Sequence, residues 1–523
     1  MRGSLVKRLP WLAACIAFVF GVSSAPTAAQ QVKFINTDPQ QVGLAEPGAL
    51  GLSADLWQGS TRASLGEAID SVSGATSVTA IHRALRDLLT ASAAPPAGEV
   101  VTPFLISRRV AALGRLGASD SVMALAALAP AEFRDAPLLN AEANTRLVRF
   151  DLAGACNLTL TATSQSSLPE WQRLRAFCRH IFGQGAEAVV AAILAEELAL
   201  ELRAPPDDVF GALFLALQYP NRERPVGLVP TQALHLAMFR YQRLPIAPNQ
   251  NLPPVPANLM AGLASNPSLP VGVRLQASEQ AVSANAGAVE PLIQLYLETS
   301  APGGIGAAYR AAAFAGSVQQ RISGLRTLWA TTQDRRLLPQ LAPYTLGTIR
   351  GLDLAAVPPS FTRGALKAAL LAGDEAAISN WQDAQAALAL LPDGAHERDT
   401  TYPLLALAGR PTPPVTEWWP AWVAAAKPTD AQQQLVGGAL GALGGESFAL
   451  APSPKLKKTK AIRPILAAEA KAPGEAALRA LALLAAAPEP DAALQVLAIR
   501  TLARVHLGHA RALALELAVD AGL

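Results

Sequence analysis

Alanine and leucine supply 107 and 78 of the 523 residues, and they cluster in stretches of helix length. Both are strong helix formers, while the 41 Pro and 38 Gly act as punctuation between the stretches. From Ser60 onward, segments of about 10 to 18 residues recur, each closed by Gly, Pro or a short polar turn. Nothing between them alternates with period two, so no sheet is expected. A chain that is 51% hydrophobic and 16% charged is not disordered through charge, and three cysteines do not make a disulfide-dense mini-protein. The expected fold class is all-α: many short helices stacked as one array.

Five joints share one form: Leu116-Gly117-Ala118, Ala153-Gly154-Ala155, Phe182-Gly183-Gln184-Gly185, Ala372-Gly373-Asp374 and Leu507-Gly508-His509. In each, Gly can supply a left-handed C-cap before a helix with Ala on its packing face, the grammar of antiparallel helical hairpins. Val273-Arg274-Leu275-Gln276-Ala277 with Ala281-Val282 and Ala288-Val289-Glu290-Pro291-Leu292 resembles the HEAT repeat. So do Arg108 to Gly114 with Val122 to Leu125, and Ala498 to Ala503 with Ala510 to Leu513. Trp171 to Leu194 and Ala372 to Ala377 resemble tetratricopeptide repeats instead. Together these resemblances cover about half the chain without a fixed register, and they imply an α-solenoid. The layout is also similar to a group of exported Ala/Leu-rich bacterial helical-repeat proteins, from which no activity transfers.

The first 29 residues read as a signal peptide. Arg2, Lys7 and Arg8 precede an apolar run from Trp11 to Val22, and Thr27-Ala28-Ala29 offers small residues for cleavage before Gln30. An uncleaved anchor, or lipidation at Cys15 after Leu12-Ala13-Ala14, are the alternatives. Residues 30–59 are polar and read as an extended arm, followed by repeat segments at 60–218 and 257–445. Between the two lies a Pro-rich break, 219–256, with one short helix near Thr231 to Arg240. A basic, Pro-flanked linker spans 446–473, and Ala-rich helices fill 474–523.

Without the three basic residues of the signal, 40 basic and 40 acidic side chains remain, so a general nucleic-acid or membrane-surface binder is not expected. The motif search is negative: no phosphate-binding Gly loop, no H-E-x-x-H, no nucleophile elbow. No catalytic, cofactor-binding or metal-ligating residue is therefore assigned, and no cofactor is expected. His506 and His509, three apart, read as a surface or groove pair and not as ligands. Glu446-Ser447 resembles the Glu-Ser pair of lytic transglycosylases, but the Gly-Leu-Met-Gln motif of that family is missing downstream, so a degenerate enzyme is only an alternative.

Contact candidates are Trp418, Trp419 and Trp422, which cannot all face one core stripe, and the basic run Lys455, Lys457, Lys458, Lys460 and Arg463. Gly437, Gly441 and Gly445 suggest tight helix packing. Cys156 and Cys178 lie at equal distances from a turn near Gln165 to Pro169, so antiparallel helices bring them to one height, and they are the candidate disulfide. The function expected from all this is an exported, periplasmic scaffold or adaptor that binds another cell-envelope protein. Outer-membrane assembly, peptidoglycan control and a flagellar-motor accessory role all fit. A glycan or peptide binder with a Trp-lined groove is the alternative.

Overall fold

The structure, a computed structural model, describes residues 41–523 apart from 166, 222–224, 226, 247–254, 300–302, 392 and 445–458. The expected signal peptide therefore lies outside the described residues, as do Lys455, Lys457, Lys458, Gly445 and the Glu446-Ser447 pair. From Asp38 onward the chain forms one compact unit. Among the described residues it is all-α, with 25 helices and no strand.

Before the first Pro-rich break lie α1 (Arg62–Asp70), α2 (Thr79–Thr90), α3 (Leu105–Leu116), α4 (Ser119–Leu128), α5 (Ala136–Val148), α6 (Leu152–Gln165), α7 (Pro169–Ile181), α8 (Gly185–Glu201) and α9 (Asp208–Gln218). The break itself contains α10 (Ala233–Gln242). The next segment holds α11 (Ala257–Ala264), α12 (Val271–Ser283), α13 (Val289–Glu298), α14 (Gly304–Phe314), α15 (Val318–Asp334), α16 (Leu338–Arg350), α17 (Pro359–Ala372), α18 (Glu375–Leu388), α19 (Gly394–Leu407), α20 (Val415–Ala426) and α21 (Asp430–Ala442). The chain finishes with α22 (Ile462–Ala468), α23 (Pro473–Ala486), α24 (Ala492–Ala503) and α25 (Leu507–Asp520). Helices adjacent in sequence pack as pairs, most closely α7 on α8, α14 on α15 and α11 on α12.

Local chemistry sets many of the boundaries. Asp207, Asp374, Asp491, Ser317 and Thr429 each accept a hydrogen bond from a backbone N–H in the first turn that follows, satisfying a donor the helix cannot. Gly117 and Gly373 take the left-handed C-cap, with φ of 79° and 66°. Two expected joints are displaced. Gly154 lies inside α6, because Asp151 accepts from the Gly154 N–H and starts the helix, and Phe150 takes the positive φ. Gly508 lies inside α25, because His506 is the N-cap and its Nδ1 accepts from the His509 N–H at 2.9 Å.

The glycine that draws α21 against α24 is Gly438. A β-carbon there would lie 2.6 Å from Val496 Cγ2, whereas one on Gly441 would meet nothing within 4 Å. The pairing therefore runs along a different face of α21 from the one the four-residue glycine spacing suggests.

The array does not leave its ends apart. Helix α1 packs on α23, and α2 packs on both α23 and α25. Ser64 donates to Glu475 Oε2 at 2.8 Å, Arg479 donates to the Ser64 carbonyl at 2.7 Å, and Glu516 on α25 accepts from the N–H groups of Thr79 and Ala80 at 2.6 and 2.7 Å. The described part of the expected arm is packed too: Leu52, Leu56 and Trp57 are buried, and the Arg109 guanidinium gathers the carbonyls of Val42, Leu89 and Ala91. Residues 446–473 are not purely a linker, since they contain α22. No helix among the described residues is long and apolar enough to cross a membrane.

Candidate functional site

A groove floored by α5 is walled by α3, the start of α7 and the start of α11. It has two lobes of about 740 and 340 Å³ that share Asn140, Asn144, Trp171, Pro256 and Asn258. Helix α5 is amphipathic in the plain sense: Leu138, Leu139, Ala143 and Leu147 are buried, and Asn140 and Asn144, one turn apart, face the groove. Asn144 Nδ2 donates to Asn140 Oδ1 at 3.0 Å, which fixes both amide planes and leaves the Asn140 NH₂ and the Asn144 carbonyl to a ligand. Across the groove, Asn258 Oδ1 accepts from the Leu259 N–H at 3.0 Å, which turns its NH₂ outward.

The cations at the rim are already committed. Arg115 donates to the carbonyls of Val72 and Ile69 at 2.6 and 3.1 Å, closing the C-terminal end of α1, and burial holds its pKa below the usual arginine value. Arg173 is buried between Glu196, 3.2 Å away, and Asp207, 3.6 Å away. The groove thus presents amides and hydroxyls, with the exposed Glu170 carboxylate on the smaller lobe, and both of its lining arginines are held by the protein itself.

At the end of the smaller lobe, Thr231 Oγ1 lies 3.2 Å from His235 Nδ1, and His235 Nε2 lies 3.0 Å from Asp207 Oδ2. The order hydroxyl, imidazole, carboxylate is that of an acid–base relay. Here it joins α9 to α10. His235 is 1% exposed, and Asp207 Oδ1 also caps α9 through the Phe210 N–H at 3.0 Å. Burial pushes the Asp207 carboxyl up, but the His235 and Phe210 hydrogen bonds outweigh it and hold the pKa below the usual range.

The residues singled out in the sequence fall elsewhere. Trp418, Trp419 and Trp422 are all buried on α20, with Trp419 and Trp422 edge to face at 5.0 Å and Tyr402 packed on Trp418. None reaches the surface, so the expected exposed indole and the Trp-lined groove are corrected: the cluster is a packed joint between α19 and α20. Lys460 and Arg463 are exposed at the start of α22. His506 stacks on His509, whose Nε2 lies 3.1 Å from Asp87 Oδ2 on α2. That pair belongs to the contact between α2 and α25, and no cluster of three metal-ligating side chains occurs among the described residues. Cys156 on α6 and Cys178 on α7 are joined in a disulfide with Cα atoms 5.6 Å apart.

Sequence reasoning passed over Asn140, Asn144, Asn258, Thr231 and Gln232. The available signal was an Asn pair at i, i+4 inside a helix, where Asn is a poor former and caps nothing. No family model, curated protein or solved structure matches the chain.

Proposed function

We propose that this protein is an exported helical-repeat scaffold, HEAT- or tetratricopeptide-like in its paired helices, that binds an extended segment of another cell-envelope protein in the Asn-lined groove. The Asn140–Asn144 pair carries the reading. With Asn144 Nδ2 donating to Asn140 Oδ1, the pair together offers one donor, the Asn140 NH₂, and one acceptor, the Asn144 carbonyl, which main chain of any sequence can answer. Two positions one helical turn apart are about 6 Å apart, and alternate peptide units of an extended strand repeat at about 6.8 Å. The match lets both amides meet the same edge of one bound segment. The amide-rich lining agrees with a main-chain ligand, and Trp171, only 3% exposed, gives a sugar ring no platform.

Export is supported by the Cys156–Cys178 disulfide, a bond that persists in oxidising compartments. No catalysis is part of this reading. It predicts that a random 12-residue peptide library contains sequence-diverse ligands whose binding falls at least tenfold in an Asn140→Ala/Asn144→Ala variant. Ligands that all share one charged motif, or that ignore the double substitution, would overturn it.

A further inference from the structure

Helix α8 buries a face made only of alanines. Ala188, Ala191, Ala195 and Ala199 lie against α7, which lets the two axes approach closely. The opposite face is apolar and uncovered: Val190 is 66% exposed, Ile193 55% and Leu200 78%, with Val189 and Leu194 beside them. Single exposed apolar residues are ordinary, but a stripe of large ones along one helix marks an interaction surface. None of these residues lines the groove.

The stripe has a definite spacing. Ala186, Val190, Ile193, Glu197 and Leu200 succeed one another by four, three, four and three residues, the 3.5-residue period of a helix that pairs along a narrow seam. Only Glu197 breaks the apolar pattern, and it sits where a seam is otherwise dry. Of the three other acids of the helix, Glu187 is answered by Arg179 at 2.9 Å and Glu196 by Arg173 at 3.2 Å, while Glu201 is exposed one turn beyond Glu197 and adds to its negative charge. The seam itself contains no cation.

We infer that the outward face of α8 is a second docking surface, which takes an amphipathic helix of a partner protein through a 3.5-residue seam and reads a Lys or Arg placed opposite Glu197. The charge decides the occupant. A second copy would bring another α8 seam with no cation to answer Glu197, and a carboxylate buried in an apolar seam without a cation is strongly unfavourable. An anionic lipid surface would meet the acids of this helix with like charge. A basic amphipathic helix covers the apolar residues and neutralises Glu197 together, and the requirement for that one cation gives partner selection.

The test uses the full chain and two fluorescent 21-residue amphipathic peptides with identical apolar seams, one with Lys and one with Glu at the central seam position. The Lys peptide binds the wild type at least tenfold more tightly than the Glu peptide. Glu197→Lys reverses that preference, and Ile193→Glu abolishes binding of both. Because these side chains are exposed, helix content and melting temperature stay unchanged; should Ile193→Glu fold poorly, Val190→Ser with Leu200→Ser serves in its place. Asn140→Ala/Asn144→Ala leaves the peptide affinity unchanged, which separates this surface from the groove. Equal binding of the two peptides, no binding of either, binding to anionic or zwitterionic vesicles, or a dimer in sedimentation that Ile193→Glu dissolves would each overturn the inference.

Discussion

Replacing Glu516 with Gln should cost the protein stability in mild acid and cost it less, or nothing, at alkaline pH. Glu516 is 4% exposed on α25 and caps the first turn of α2 through the Thr79 and Ala80 N–H groups. Burial pushes its carboxyl up to about 7 against an ordinary 4.5; the two N–H bonds pull down, nearby Asp520 pushes up, and Arg83 pulls down. A folded-state pKa above the unfolded one means that folding takes up a proton between these values, so stability is greatest below 4.5 and is lost as the pH rises to about 7. The full span corresponds to about 3 kcal/mol.

His82 runs the other way. Burial, aided by Arg86, lowers its pKa from 6.5 to about 4, so it adds stability as the pH rises through that window. The wild-type curve therefore mixes opposing slopes, and only the difference between variant and wild type isolates Glu516. Gln removes the titration but sets an NH₂ where one carboxylate oxygen accepts, leaving the Thr79 or Ala80 N–H without its acceptor at every pH, so urea unfolding should show a constant cost of about 1–3 kcal/mol, offset between pH 4.5 and pH 8 by a gain relative to wild type of up to about 3 kcal/mol. An equal loss at both pH values would overturn this, because it would mean that Glu516 titrates alike in the folded and the unfolded chain.

Three further outcomes are expected. Reducing the Cys156–Cys178 bond, or replacing both cysteines with Ser, should lower unfolding stability by about 2–4 kcal/mol, and thiol titration of denatured, unreduced exported protein should find no free thiol. Gly438→Ala should destabilise by about 1–3 kcal/mol in urea unfolding because its β-carbon meets Val496, while Gly441→Ala is neutral or stabilising. His235→Ala should cost about 1–3 kcal/mol by stranding the buried Asp207 carboxylate, and an active-site-directed fluorophosphonate should not label Thr231.

The sequence made legible whatever rests on local chemistry. The short helix in the Pro-rich break is expected over 231–240 and found as Ala233–Gln242, and the Gly117 and Gly373 caps fall where the pattern puts them. Local reasoning failed where two signals competed, as at Gly154, which Asp151 pulls into α6 as a capping residue. It failed more deeply at long range. The bonds from Ser64 to Glu475 and from Thr79 to Glu516 leave no mark on either segment alone, so the expected α-solenoid carries no contact between its two ends. The groove was illegible for the same reason: Asn140, Asn144 and Asn258 become one lining only after α5 and α11 meet. The three Trp residues were misread because positions 418, 419 and 422 span only about 100° of a helix, within the width of one apolar stripe, and α20 packs on α19.

Site-specific photocrosslinking in cells captures whatever occupies the groove. With a benzophenone amino acid at position 258 in the groove and, separately, at position 390, where Leu390 is 91% exposed away from it, the account predicts an adduct from position 258 alone. Mass mapping should place that adduct in an extended segment of another envelope protein, and Asn140→Ala/Asn144→Ala should remove it. Equal adducts from both positions, or none from position 258, would contradict the groove as a binding site.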